Sequence, residues 1–359
     1  MVTIKTETLQ NMVNKAVRGA SNNKLIPLTS YIGITLSPNI FSLLTTDGMN
    51  YLQVSTDIEG EPLKAVVLAD VFAKLVRKLT GDTVKLDLTD KYLVVECNGT
   101  YKLELLLDEE GNPIEFHMPS DFDNFEGKPR LGEFDRSTIT RIMNSLKQSL
   151  AVVPTRPHYC CYRMGDEIVA TDTSLISILN KKVFEKARLL SAECMNLLDV
   201  VVDEGGSAVA YQLNGAVVFD CGHDILYTRE PNGLENFNVD AIKGFADGEF
   251  PYHCTISKQS LIDTFERIDL FVGDLDAGAV NLKFDQDGVT VSSKSTSGVE
   301  QVQYETVDGE TSFECVADVT SLLTVFRAQP SDVVDVYFGA EQTIKVVDGD
   351  LVTIFALMV

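Results

Sequence analysis

Few residues in this chain are arranged for covalent chemistry, and each of those has a plainer role. Asp47 in LLTTDGMNYLQV (43–54) and Asp172 in IVATDTSLISIL (168–179) could serve as paired acids. Each instead follows Thr at a strand end, where an Asx side chain ordinarily accepts the N–H groups of its own turn. Cys160 near His158 offers a nucleophile and a base, but no third group stands by to orient the imidazole. Cys221 and His223 sit two apart, as on one strand face, yet a zinc site needs more partners than the sequence supplies there. The four histidines, His117, His158, His223 and His253, are never paired at ligand spacing on a helix. No GxGxxG or GxxxxGK[ST] phosphate loop occurs. The expectation is a protein that is not an enzyme, with no cofactor and no metal.

The elements that must position these residues repeat. Three alternating hairpins, VKLDLTDKYLVVECNGTYKLELLL (84–107), VAYQLNGAVVFDCGHDILYT (209–228) and VDVYFGAEQTIKVVDGDLVTIFAL (334–357), carry Gly99, Gly222 and Gly349 near their turns, 123 and 127 residues apart. A period that long is a whole domain. Asp47 and Asp172, 125 residues apart, keep the same spacing. Helical periodicity marks six segments: Leu9 to Ala20, Phe72 to Leu79, Ile139 to Leu146, Leu190 to Val201, Leu261 to Val272 and Val319 to Phe326. Short alternating segments follow each, so the unit is strand, helix, three strands, and two units make a domain. Linkers are expected at DNFEGKPRLGEF (123–134) and GFADGEFPY (244–252). The domains are then 1–126, 127–250 and 251–359 in an α+β fold.

With 359 residues and 45% apolar content, the chain can bury several cores. No run approaches the roughly 20 apolar residues of a membrane helix, and the start, MVTIKTETLQ, has no leader character, so a cytoplasmic location without membrane contact is expected. The cysteines Cys97, Cys160, Cys161, Cys194, Cys221, Cys254 and Cys315 are odd in number and never spaced CxxC, as suits reduced thiols. Net charge is −23, which opposes phosphate binding in general. The stretches around the six helices, 7–23, 70–80, 135–149, 189–203, 257–271 and 317–329, nevertheless sum to +1 and leave −24 to the rest, so a near-neutral to basic helical face would sit on an acidic body. Such a body repels DNA except where the basic face is presented. Solvent-facing Lys and Arg chosen for helix propensity would give the same sums.

These features together resemble the bacterial sliding clamp, the β subunit of DNA polymerase III. NNKLIPLTSYIGITL (22–36), LLTTDGMNYLQV (43–54) and VVLADVFAKLVRKLTGDTVKL (66–86) look like its loop before the second strand, its strand ending in Thr-Asp and its second helix. The Thr-Asp recurs in IVATDTSLISIL, and the likeness runs from Ile4 to Met358. The resemblance implies three tandem clamp domains per chain and a head-to-tail homodimer, a ring with helices inside and sheets outside. It implies a non-catalytic processivity factor that encircles double-stranded DNA without reading sequence and tethers the replicative DNA polymerase, served by a clamp loader and shared with repair proteins carrying clamp-binding peptides.

By the same resemblance, Lys15, Arg18, Lys74, Arg77, Lys78, Arg136, Arg141 and Lys147 would face the DNA, with Lys24, Arg156, His158 and Tyr159 on loops that approach it. Cys160, Thr171, Thr173, Ile176, Thr343, Ile354, Ala356, Leu357 and Met358 would wall a peptide slot between the second and third domains. Leu270 and Phe271 would meet Lys74 and the strand containing Tyr101, Leu103 and Leu105 of a second copy. The chain departs from the family in ending FALMV, without the usual proline and basic residue, in Cys160 for a larger aliphatic, and in Thr173 for glycine. Those departures fit a divergent member, such as one from a phage or mobile element. The alternative is an acidic, β-rich scaffold that binds only proteins.

Overall fold

The computed structural model describes all residues except 126, 154, 274–276, 296, 310, 341 and 359. Strand, helix, three strands recurs six times. The first pair of units is β1 (Val2–Lys5), α1 (Thr6–Ala16), β2 (Tyr31–Ser37), β3 (Ile40–Thr46), β4 (Asn50–Asp57), then β5 (Leu63–Leu68), α2 (Ala69–Val76), β6 (Thr83–Leu88), β7 (Tyr92–Glu96), β8 (Thr100–Glu104). The second is β9 (Arg130–Asp135), α3 (Arg136–Leu146), β10 (Cys161–Met164), β11 (Ile168–Thr171), β12 (Leu175–Leu179), then β13 (Arg188–Ser191), α4 (Ala192–Val201), β14 (Ser207–Leu213), β15 (Ala216–Cys221), β16 (Asp224–Arg229). After α5 (Val239–Ala246) comes the third: β17 (Tyr252–Ser257), α6 (Lys258–Asp269), β18 (Ala279–Phe284), β19 (Val289–Ser293), β20 (Val299–Val302). A two-residue β21 (Thr306–Val307) precedes its second half, β22 (Phe313–Asp318), α7 (Val319–Arg327), β23 (Val333–Phe338), β24 (Thr343–Asp348), β25 (Leu351–Ala356).

Local chemistry accounts for these boundaries. Leu9, Met12, Val13 and Ala16 form the buried stripe of α1, which tightens into a 3-10 turn at Val17–Gly19. The side chain of Asp318 caps α7 by accepting from Ser321 N at 2.7 Å, and Ser257 caps α6 through Ser260 N at 3.3 Å. Gly222 and Gly349 open two-residue hairpin turns at φ 86° and 62°, a region costly for a side chain. The first hairpin turns through three residues instead, and Gly99 there is not left-handed.

Three sequence expectations are corrected. Leu190 lies on β13, ahead of α4, and Val272 lies beyond α6. The first expected linker overlaps β9, which begins at Arg130. The second overlaps α5, a helix that periodicity missed because only Ile242 of its eight residues is buried and Gly244 interrupts it.

Each four-strand half-sheet takes its first strand from the neighbouring unit: β1-β6-β7-β8, β5-β2-β3-β4, β9-β14-β15-β16, β13-β10-β11-β12, β22-β18-β19-β20 and β17-β23-β24-β25. In the first and third repeats this exchange ties the two halves together. Pairing of β4 with β16 merges two half-sheets into an eight-stranded sheet, and pairing of β12 with β25, with β21 beyond β17, gives a nine-stranded one. The chain divides into two compact units, 1–139 with 193–230 and 140–192 with 231–359, each containing one of these large sheets. In the first, Leu9, Val13, Phe72 and Val76 are fully buried. In the second, Phe284 stacks on Phe338 at 4.1 Å and Phe265 meets Phe326 at 5.7 Å. No helix among the described residues is long and apolar enough to cross a membrane.

Candidate nucleic-acid and partner interfaces

The residues that might have been catalytic are built into turns. Asp47 Oδ1 accepts from Met49 N and Asn50 N at 2.8 and 2.7 Å, and Asp172 Oδ1 accepts from Ser174 N and Leu175 N at the same distances. Thr46 and Thr171 accept in turn from Gly48 N and Thr173 N. His158 and Cys160 lie in a 3-10 turn, Pro157–Cys160, rather than on a strand, and the His158 ring packs against Tyr159 and Phe237. His223 lies in a hairpin turn, off the strand that ends at Cys221. Burial pushes the Cys221 thiol up to about 12. No cluster of three metal-ligating side chains occurs among the described residues.

Of the twelve expected DNA-facing residues, several cations already have anionic partners. Lys15 Nζ lies 3.0 Å from Asp203 and 3.2 Å from Asp224. Burial alone would lower its pKa, but the two carboxylates more than offset that and hold it raised, while desolvation holds Asp224 above the usual carboxylate range. Arg136 pairs with Asp199 at 3.2 Å, Arg141 with Asp350, and Lys74 with Asp70 at 2.6 Å. Arg77 Nε donates to Asn14 Oδ1. Arg18, Lys24, Lys78 and Arg156 are exposed with no carboxylate partner among the described residues, and Lys147 is exposed at the end of α3. Tyr159 packs on Phe237 at 5.4 Å, with the Arg156 guanidinium 6.0 Å from its ring.

The sequence held a further signal that sums over helices hide. Although the chain has 53 acidic residues, none occurs in 8–46 or in 136–165. The two stretches start at matching places, on α1 and on α3, and contain Lys15, Arg18 and Lys24, then Arg136, Arg141, Lys147, Arg156 and Arg163.

All nine expected slot residues fall in the second unit. Thr171 pairs with Ile176, Ile176 with Ile354, and Ile354 with Lys345, so they form one row across β11, β12, β25 and β24. The row continues through Tyr337 to His253 on β23 and β17. Two residues further along these strands Thr343 faces Ala356, and Leu357 N donates to Gln342 O while Met358 N donates to Val316 O. Cys160 closes the turn leading into β10, its thiol 3.9 Å from Val153 O. Thr171, Ile176 and Ile354 are buried; Thr173 and Ala356 are exposed, and Cys160, Thr343, Leu357 and Met358 are half-buried. Thr173 has φ 86°, where the first repeat has Gly48 at φ 99°. A β-branched residue there is strained.

Two half-sheets remain unmerged, and β8 and β20 are their edges in the position that β4, β16, β12 and β25 use for merging, opposite the edges β1 and β22. On β8, Tyr101 is exposed and Leu103 half-buried, whereas Leu105 just beyond lies in the core. Near β20, Leu270 is 81% and Phe271 50% exposed, and Val299 on the strand itself is exposed.

Solved structures from several bacteria share this arrangement. A DNA polymerase sliding clamp from Bacillus subtilis superposes with TM-score 0.86 at 16% identity, covering 99% of this chain and 98% of that one. The DNA polymerase III beta chain of Streptococcus pneumoniae gives 0.84 at 17% identity over 100% of both chains. The sliding clamp of Pseudomonas aeruginosa gives 0.84 at 15% identity, covering 100% of this chain and 99% of that one. This chain has the sliding-clamp fold. Comparison with protein-family models and with curated proteins gives no match.

Within the clamp fold, α5 is the element that sequence reasoning missed. It lies against β25, its Ile242 buried in the cluster that contains Ile176 and Ile354. The signal available was Val239, Ile242 and Ala246 at i, i+3 and i+7 after Asn238, whose side chain accepts from Ala241 N at 3.1 Å.

Proposed function

We propose that this protein is a sliding clamp, a non-catalytic processivity factor that closes around duplex DNA as a head-to-tail dimer. The observation that carries the reading is that β8 and β20, the counterparts of the merged edges β4, β12, β16 and β25, stay unmerged. Within the chain, half-sheets join edge to edge at β4–β16 and β12–β25. A second copy offering β20 to β8 would make the same joint, leaving no exposed edge of this kind unpaired. Leu270, Phe271 and Val299 on one side and Tyr101 and Leu103 on the other supply apolar contact for it, with Lys74 nearby. Three repeats per chain, 1–126, 127–250 and 251–359, then give a ring of six.

The acid-free stretches of the first two repeats supply the DNA-facing surface, with Arg18, Lys24, Lys78, Lys147 and Arg156 its most accessible cations and His158 and Tyr159 beside them. Internal pairing of Lys15, Arg136 and Arg141 keeps that surface only weakly cationic. Weak attraction suits a protein whose hold on DNA is topological, because tight phosphate contacts would oppose sliding. Polymerase, loader and repair proteins would dock by linear peptides at the Thr171–Ile176–Ile354 row, rimmed by Cys160, Thr173, Thr343, Ala356, Leu357 and Met358. The deciding experiment loads the protein onto a nicked circular plasmid with a clamp loader, isolates the complex by gel filtration and then linearises the DNA. Release only after linearisation is expected. Retention on linear DNA, or failure to associate despite a competent loader, would favour direct affinity or the acidic scaffold.

A further inference from the structure

Among the described residues, the two most exposed large apolar side chains are Val152 at 94% and Leu25 at 91%. They lie at matching places, on the loop between the first helix and the second strand of a repeat, one in each compact unit. Hydrogen bonds fix both loops. Leu25 N donates to Asn23 Oδ1 and Ile26 N to Asn23 O, each at 3.0 Å, and Thr29 N donates to Ile26 O at 3.0 Å. In the second repeat Ala151 N donates to Tyr159 O and Tyr159 N to Arg156 O, each at 2.9 Å. The core gains nothing from either tip, so their apolar character calls for an outside contact. The company they keep is cationic: Lys24 precedes Leu25, Arg156 follows Val152, and both loops fall in the stretches 8–46 and 136–165 that contain no acidic residue. The matching loop of the third repeat, DLFVGDLDAG (269–278), sets its apolar pair among acids instead. On a body of net charge −23, apolar tips flanked only by cations are complementary to a polyanion that has apolar surface of its own. Duplex DNA is one, because sugars and base edges line its grooves between the phosphates.

We infer that Leu25 and Val152 are apolar DNA contacts, tips that rest against the sugar and base edges of a groove while Lys24 and Arg156 face the phosphates beside it. The inference rests on the DNA-facing part of the proposed function and adds a second kind of contact to it. Neutralising a phosphate releases counterions and is weakened by salt, whereas apolar contact releases none. Such contact is also non-directional, so it holds the duplex without fixing a register and leaves sliding unopposed.

The test uses the full-length protein and a short fluorescein-labelled linear duplex, with affinity read by anisotropy over a series of NaCl concentrations. Leu25→Ser combined with Val152→Ser should weaken binding about tenfold at every salt concentration, the change expected for losing roughly 30 Å² of apolar contact at each tip. The slope of log K against log salt should stay that of wild type. Lys24→Ala, which removes a charge, should instead flatten the slope by about one. The conservative pair Leu25→Met and Val152→Ile should bind as wild type does. Affinity unchanged in the double serine variant overturns the inference, and so does a deficit that comes with a flattened slope, which would mean that the substitutions act through the cations. Both side chains are exposed, so the thermal unfolding of the variants should match wild type. Wild type that neither binds the duplex nor stays on the circular plasmid would remove the DNA reading and the tips together; wild type that does both, with a serine variant of equal affinity, removes the tips alone.

Discussion

Ile176 on β12 and Ile354 on β25 stand opposite each other in the antiparallel ladder that merges two half-sheets into the nine-stranded sheet. Ile354 is 1% exposed, so this pair is a structural joint as well as the floor of the proposed groove. Ile354→Ala should lower unfolding free energy by about 2–4 kcal/mol, the range for truncating a buried aliphatic. Chemical denaturation followed by circular dichroism measures it, and a loss below about 1 kcal/mol would mean that the joint relaxes around the cavity.

Leu270 and Phe271 are too exposed to serve the monomer's core. Substituting both with Lys should leave stability nearly unchanged and yield monomers by light scattering. A dimer that persists would remove them from the interface.

Thr173 is held at φ 86° in the β11–β12 turn. Thr173→Gly relieves that backbone and should stabilise the protein by about 1 kcal/mol, the lower end of the cost of such strain. A thermal scan that shows a lowered melting temperature would contradict this.

His253 lies between Asp308 and Asp335, with Nδ1 and Nε2 each 2.8 Å from a carboxylate, and its ring stacks on Tyr337 at 4.5 Å. Burial lowers its pKa, but the hydrogen bonds and charges of both aspartates outweigh that and leave it raised above 6.5. The folded state therefore binds this proton more tightly than the unfolded chain. Its stabilisation is fully present below about pH 6.5 and fades as pH climbs through the raised value. Between those limits, His253→Gln should flatten the fall in denaturant midpoint seen for wild type; parallel curves would show that another group dominates.

Lys15 is neutralised by Asp203, which is itself largely solvent-exposed, and by the buried Asp224. Asp203→Asn should free part of that charge and steepen the salt dependence of binding to linear duplex by up to about one in log K against log salt. A slope unchanged within error would place Lys15 away from the phosphates.

The amino-acid sequence determined the units. Apolar residues at spacing 3.6 and 2 are a local property, so α1, α3, α6 and α7, the hairpins and the sixfold order of strand, helix and three strands were legible, as was the turn role of Asp47 and Asp172. Local pattern marked α5 only faintly, by Val239, Ile242 and Ala246 after the Asn238 cap, because just one of them is fully buried and the helix is held by Lys345 and Ile354, both about a hundred residues away. Charge sums likewise could not tell an available cation from one already spent. Lys15 and Arg136 read as free basic residues until the fold brought Asp203, Asp224 and Asp199 beside them. Strand exchange between units and the pairing of β4 with β16 and β12 with β25 are long-range choices, fixed by which buried faces and hydrogen-bonding edges meet in three dimensions. Only those choices decided that β8 and β20, the counterparts of the merged β4, β12, β16 and β25, stay unmerged.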